Sequence, residues 1–409
     1  MKILFLSAYF SPESVAGSHL ANNRNEAFAE AGFEMEVYTP LPSRGISNEV
    51  RSLYKRKRIE KLYGGRMTVH RFLMFREGKN STMRALRYVL CGFIQFFKGW
   101  FAKDIDIVLV VSTPPIQGAI AAMVKKVKSI PFVYCLQDIF PDSLVGTGLT
   151  KRGSLLWRIG RVIENFTYNN ADKIIVISQD FRRNILAKGV PEEKIVVIYN
   201  WVDENVVKNI SREENKLFNR YDLDREKFYI TYCGNIGLTQ NMDMLLEVAR
   251  ELEHIDDIKF VLVGEGTYKT TVEDLIAKSN INNVTLLPFQ PYEDISYVFS
   301  LGDVGLVISK PGVGENSVPS KMWSIMSAEQ TVLASFDCNE LKNIIEDNNC
   351  GIFTQAGDEE AFKSAILKLY NNREQCRVLG HNGRDFILKN LTREKSTSKY
   401  VEVIKQFTN

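Results

Sequence analysis

SKPGVGENSVPSKMWSIMSAEQTVLAS, residues 309–335, passes from strand end to loop to helix to strand. The apolar run from Asp303 to Ser309 before it has strand character. Pro311, Gly312 and Gly314 let the backbone turn sharply and approach a ligand. Pro319 marks a helix start, because its fixed φ suits a first turn that does not need its N–H. Met322, Trp323, Ile325 and Met326 then recur at helical spacing, and Thr331 to Ser335 is the next strand. Lys321 falls in the first helical turn, where the helix dipole disfavours a cation by roughly a few tenths of a kcal/mol. A bound anion would remove that conflict. Backbone N–H groups, the Ser317 or Ser320 hydroxyl and Lys321 together make a diphosphate cradle. The bland reading is a helix start with a solvated lysine.

The chain has 409 residues, too many for one ordinary core, so two domains are expected. Hydrophobic content of 45% and charged content of 25% suit a soluble globular protein, and a net charge of +3 gives no global case for nucleic acid. Six scattered cysteines form no CxxC pair, and four histidines are few, so neither a zinc site nor a disulfide framework is expected. The apolar start, MKILFLSAYF, stops at Ser11-Pro12-Glu13, too soon for a signal peptide, and reads as a first strand.

Lys2–Tyr9, a loop through Pro12 and Gly17, a helix to Glu30 and a strand Phe33–Thr39 make a βαβ opening. Ligands of such sheets bind beyond the strand carboxyl ends, which puts Gly17 and His19 there. His19 is a candidate acceptor contact or a solvated histidine. No GxGxxG follows the first strand, against a nicotinamide cofactor. Residues 44–66 read as irregular and basic, including Lys55-Arg56-Lys57-Arg58; such a run is a solvated face or a contact for anionic lipid headgroups. From about Thr82 to Lys103, Leu86, Leu90, Phe93, Phe97, Trp100 and Phe101 share one helical face, which suits either a core helix or one lying in a membrane interface. Asp104-Ile-Asp106 spells DxD but begins a strand, the wrong edge for a ligand. Asp138, at the end of the strand Phe132–Leu136, is a site candidate or the cap of the following turn. Residues 204–227 read as a polar linker. The strand pattern restarts at Phe228–Cys233, Gly234-Asn235-Ile236-Gly237 is expected to open a helix, and Gly264-Glu265-Gly266 is a strand-to-helix turn. Two β/α runs imply two doubly wound domains facing a cleft.

Several stretches carry a resemblance. ADKIIVISQDF (171–181), KIVVIYNWVD (194–203), GNIG (234–237) and FVLVGEG (260–266) resemble the retaining glycosyltransferases of family 4, which have the GT-B architecture of two Rossmann-like domains. QDIFPD (137–142), GNIGLTQN (234–241) and VPSKMWSIM (318–326) look most similar to the N-acetyl-L-fucosaminyltransferases of bacterial surface polysaccharide. The chain departs from the family pattern twice. The paired glutamates would fall at Asn316 and Ser324, and the basic pair near Asn235 and Gln240.

The resemblance implies an acceptor-binding domain over 1–204, a nucleotide-sugar domain over 205–390 and a helix over 391–409 returning to the first. It implies a retaining hexosyltransferase that moves a sugar, an N-acetylated 6-deoxyhexosamine, from a UDP-sugar to a polyprenyl-diphosphate-linked saccharide, without metal or other cofactor. The setting is the cytoplasmic face of the cell membrane, in capsule or O-antigen synthesis. Lys321 and Asp138 take the catalytic roles. Gly17, Asn235, Gly237, Asn316, Ser317, Val318, Pro319, Ser320 and Ser324 hold the donor, with Gly264, Glu265, Phe289 and Gln290 around its base. Two rivals stay open: a sugar-nucleotide 2-epimerase on the same fold, and a non-catalytic membrane-bound subunit of a polysaccharide assembly, supported by the missing glutamates.

Overall fold

Short apolar strands alternate with helices along the whole chain. A computed structural model describes residues 1–13, 17–78, 80–146, 150–314 and 318–408. They form two units, Met1–Tyr199 with Glu394–Asn409, and Asn200–Arg393.

The first unit holds an eight-stranded sheet: β1 (Lys2–Leu6), β2 (Glu34–Pro40), β3 (Ile59–Leu62), β4 (Met67–Phe72), β5 (Ile107–Val111), β6 (Phe132–Leu136), β7 (Lys173–Val176) and β8 (Ile195–Val197). Their order is β3-β4-β2-β1-β5-β6-β7-β8, and every pair is parallel except β3 with β4. Runs such as ILFL and FVYCL are buried on both faces, as covered parallel strands require. The helices Ser81–Phe101, Ile116–Lys128 and Leu155–Asn170 lie side by side. Gly118 permits the second contact, since a Cβ there would stand 2.3 Å from Thr167 Cγ2. Buried Gln95 pins the first helix, donating to the carbonyls of Ser7 (2.9 Å) and Tyr38 (3.0 Å). The helix Arg393–Lys405 belongs to this unit from Glu394 onward. Its Tyr400 is buried, with the Arg24 guanidinium 6.0 Å from the Tyr400 ring and 5.3 Å from that of Phe5.

The second unit holds six parallel strands: β9 (Phe228–Cys233), β10 (Ile258–Val263), β11 (Val284–Leu287), β12 (Val304–Ile308), β13 (Thr331–Phe336) and β14 (Gly351–Gln355), in the order β11-β10-β9-β12-β13-β14. Its core centres on Phe228, Ile230, Phe260, Leu262, Leu306 and Leu333. Doubly wound sheets in both units are as the sequence led us to expect.

Three local expectations are corrected. Residues 44–66 are not irregular: Ser47 accepts the Val50 N–H and caps a helix, Asn48–Arg56, and β3 follows. Residues 204–227 are not a free linker. They pack on the second unit through the Lys208 and Ile210 N–H groups, which donate to Ser296 Oγ (3.0 Å) and Ser300 Oγ (2.9 Å), and through buried Leu217 and Phe218. Gly234–Gly237 does not open a helix; that helix begins at Met242.

Candidate functional site

In the second sheet the strand order reverses between β9 and β12, so the segments leaving those strands flank the switch point where ligands of open α/β sheets bind. They are joined there by the Lys310 N–H, which donates to the Thr239 carbonyl at 2.8 Å. A cavity of about 220 Å³ opens at this place, lined by Thr239, Gln240, Ser309, Gly314, Pro319, Lys321 and Phe336 among others. Gly314 must lack a side chain, because a Cβ would come within 2.4 Å of the Phe336 ring.

Lys321 is the first residue of the helix Lys321–Ser327. Its ammonium lies 3.9 Å from the centroid of the Tyr232 ring and donates to the Tyr232 hydroxyl at 2.8 Å. That hydroxyl donates in turn to the Asn235 carbonyl at 2.7 Å. No carboxylate partners this lysine among the described residues. Burial pushes its pKa from the ordinary 10.5 down to about 8. The side chain as a whole is partly exposed, but its charged end is the desolvated part. Ser309 Oγ, buried in the same wall, has no hydrogen-bond partner. The site therefore offers a dehydrated cation and an unpaired hydroxyl, the groups a phosphate would engage.

Asn235 and Gln240, where the family's basic pair would fall, form a neutral amide cluster. Gln240 Oε1 accepts the Gly237 N–H at 3.0 Å and the Asn235 amide at 3.4 Å. Gly237 is thus tied to Gln240. Gly264 and Gly266 have a steric cause: Cβ atoms there would stand 1.9 Å from the Gly234 carbonyl oxygen and 2.0 Å from that of Ile236. Glu265 is exposed and pairs with Lys269 at 2.6 Å. Phe289 is 71% exposed just beyond β11, whereas Gln290 is 7% exposed. Gln290 is not a free lining residue: its amide donates to the Tyr221 hydroxyl and the Pro288 carbonyl, both at 2.8 Å, and it accepts from Arg220. Val318, Pro319 and Ser320 lead into the Lys321 helix, and Ser324 is half-buried one turn along. Asn316 and Ser317 lie outside the described residues.

In the first unit the switch falls between β1 and β5. Gly17, with φ +78°, precedes the helix Ser18–Glu30, and His19 is exposed in its first turn. Asp138 follows β6. Its own N–H and that of Gln137 donate to Ser112 Oγ, at 3.1 and 3.0 Å. The Asp138 carboxylate accepts from Ser143 Oγ at 3.2 Å. Desolvation by the surrounding protein raises its pKa above the ordinary carboxylate value, although the side chain reaches solvent. The Ser143 bond makes Asp138 at least a turn cap. The DxD run is used structurally, with Asp106 Oδ2 accepting the Lys2 N–H at 2.7 Å. Among the described residues no group of three or more His, Cys, Asp or Glu is placed to hold a metal ion.

Sequence reasoning missed Tyr232, Ser309 and Phe336. Each sits at a strand's carboxyl end and reads as core, and only the sheet order brings them to Lys321.

Residues 23–206 match the family model "Glycosyltransferase Family 4", and residues 213–386 match "Glycosyl transferases group 1". The chain is 26% identical over 336 residues to the "Putative colanic acid biosynthesis glycosyl transferase WcaI" of Escherichia coli K12, covering 80% of this chain and 81% of that one. It is 25% identical to the "Probable glycosyltransferase WbjE" of Pseudomonas aeruginosa, over 61% and 62% of the two. Among solved structures, the sucrose-phosphate synthase of Thermosynechococcus elongatus superimposes with a TM-score of 0.79 at 15% identity, over 100% of this chain and 99% of that one. Anabaena Alr3699/HepE in complex with UDP gives 0.74 at 16%, over 99% and 100%. The chain is thus a glycosyltransferase of GT-B fold, built from a family 4 domain followed by a group 1 domain.

Proposed function

We propose that this protein is a retaining transferase that moves a sugar, an N-acetylated 6-deoxyhexosamine, from a UDP-sugar to a polyprenyl-diphosphate-linked saccharide during bacterial surface polysaccharide synthesis, without a metal. The observation that carries the donor side is Lys321: a buried ammonium with no carboxylate partner among the described residues, at the edge of a 220 Å³ switch-point cavity. That space is below the ~300–1,000 Å³ of whole small-molecule sites and suits the diphosphate portion. In the reaction the departing diphosphate oxygen takes the acceptor proton on the face the acceptor attacks. The chain's work is to position the groups and to stabilise charge growing on the leaving diphosphate. Lys321 and Ser309 supply donors, and Asp138 orients a sugar hydroxyl. In the first unit, His19 meets the acceptor. Glu265 and Phe289 flank the base.

A lipid-borne acceptor calls for a membrane surface, and the first unit has a suitable one. On the three adjacent helices, Phe93, Phe101, Leu155 and Val162 are each at least 60% exposed. The one acid on those helices, Glu164, is buried against Arg161 and Lys188. Apolar side chains ringed by cations suit the cytoplasmic face of an anionic bilayer.

The test is direct. The protein is incubated with UDP-N-acetylhexosamines and a lipid-linked monosaccharide, and the anomeric configuration of any product is read by NMR. A product with the donor's configuration supports the reading; an inverted product, or UDP binding without turnover on any acceptor, overturns it.

A further inference from the structure

A groove of about 860 Å³ opens in the first unit, bounded by the helix Asn48–Arg56, the segment leaving β4 and the helix Ser81–Phe101. Its walls are apolar: Leu41, Leu73, Phe75, Leu90, Phe93 and Ile94. Leu41 follows β2 and Leu73 follows β4, so the groove lies at the carboxyl edge of the sheet, the edge that also carries Gly17 and Asp138. Its size falls in the range of sites that bury a small molecule.

The polar part of the lining is cationic: Arg51, Lys55 and Arg76. Arg51 is buried and donates to the carbonyls of Leu41 (3.2 Å), Pro42 (2.5 Å) and Met74 (2.5 Å). Arg76 donates to Asn48 Oδ1 at 2.5 Å and to the Ile46 carbonyl. Behind them Arg87, with no exposure, donates to the Phe75 carbonyl (3.1 Å) and Ser43 Oγ (3.2 Å) and keeps its Nη1 unpartnered. None of these three arginines pairs with a carboxylate among the described residues. The nearby anion, Glu13, is buried and already accepts the N–H groups of Ser43 (2.7 Å) and Arg44 (2.8 Å). Arg51 is correspondingly easier to deprotonate than an ordinary arginine, through burial first and then through Arg76 and Arg87. Fixed, under-neutralised cations beside an open apolar trough are complementary to one kind of ligand: an apolar chain with a multiply charged anionic head. Leu90 and Phe93 continue onto the exposed face formed by Phe97, Trp100 and Phe101, so the trough opens on the surface assigned above to the bilayer.

We propose that this groove receives the phosphate-proximal isoprenoid chain of the lipid-linked acceptor, with Arg51, Lys55 and Arg76 as the cations for its phosphates. The proposal rests on the transferase reading and adds a lipid subsite to it.

The test uses the full chain and calorimetric titration with farnesyl diphosphate below its micellar range, with farnesol and with inorganic pyrophosphate. One-to-one binding of farnesyl diphosphate, at least tenfold tighter than either fragment, is expected. Ser52→Trp, which fills the trough from the Asn48–Arg56 helix, and Arg76→Glu should each weaken it at least tenfold. Stabilisation by UDP, read as a shift in melting temperature, checks that both variants are folded and should stay unchanged. Pyrophosphate binding as tightly as farnesyl diphosphate would reduce the groove to an anion patch and overturn the proposal. So would insensitivity to Ser52→Trp, or loss of binding to phosphatidylglycerol vesicles in that variant while farnesyl diphosphate binding persists. The transferase reading fails separately, on absent UDP stabilisation of the wild type, an outcome in which specific farnesyl diphosphate binding would still uphold the subsite.

Discussion

Lys321 shows how one side chain can be costly in the resting protein and useful in the reaction. Desolvation holds its pKa near 8, with the Tyr232 ring and hydroxyl as its partners among the described residues. A diphosphate would restore the lost pairing, most strongly as charge grows on the leaving oxygen. Lys321→Ala is expected to lose roughly 100- to 1,000-fold in kcat with saturating donor, and Lys321→Arg to recover only part, because a planar fork does not replace a compact ammonium. Turnover of the alanine variant within a few-fold of wild type would refute this. Lys321→Ala should also raise the melting temperature of the unliganded protein at pH 7, equivalent to about 1–2 kcal/mol, because an unpaired buried charge is removed. The pH dependence has a definite sign. Binding a diphosphate favours the ammonium, so UDP affinity should be flat up to about pH 8 and fall above it. Stability of the free protein runs the other way. The folded lysine, lowered from 10.5 to about 8, sheds its proton before the unfolded one does, so stability should rise across that window. Calorimetry from pH 7 to 10 reads both. The lysine itself was legible in the sequence because it breaks the dipole rule. Its partners were not: Tyr232 and Ser309 look like strand core until the parallel order of β9 and β12 is known.

At the scale of elements, sequence pattern located nearly every strand, since continuous apolar runs bounded by Gly, Pro and Asp report parallel strands covered on both faces. It failed where polar residues hide a fold. Lys216–Arg220 and the segment before it are highly charged, yet Asn215, Leu217 and Phe218 anchor them. It also gave Gly264 only as half of a weak motif. The structure supplies the reason, a Cβ that would overlap the Gly234 carbonyl oxygen at 1.9 Å, with both glycines at positive φ. Gly264→Ala must push the segments after β9 and β10 apart. A stability loss of about 2–4 kcal/mol and loss of UDP binding are expected, measured by denaturant melts and titration. The Asn48–Arg56 helix and the residues after it carry a different prediction. Lys55, Arg56, Lys57 and Arg58 are all exposed. Reversing their charges should lower co-sedimentation with anionic vesicles at low salt, while stability changes by no more than about 0.5 kcal/mol. Vesicle binding indifferent to the reversal would refute the membrane role of that run.

For the whole molecule, the division at residues 199/200 and 393/394 leaves the second unit inserted within the first. Tyr400, Val403 and Ile404 are buried in the first unit at 2%, 3% and 0% exposure. Each such side chain contributes roughly 1.5–3 kcal/mol, so a chain ending at residue 393 should lose on the order of 5 kcal/mol from the first unit alone. Differential scanning calorimetry should show one transition lowered and a second, UDP-sensitive one unmoved. A uniform fall in both would contradict the division. The same insertion sets an order of events during synthesis. β1 through β8 leave the ribosome early, but the helix that seals Arg24 between Phe5 and Tyr400 emerges only after every residue of the second unit. The nascent first unit must wait, with an apolar seat open, through about 200 further residues, or roughly 10–40 s at ordinary elongation rates. The second unit can finish folding in that interval, so the half of the chain made later is the half that matures first.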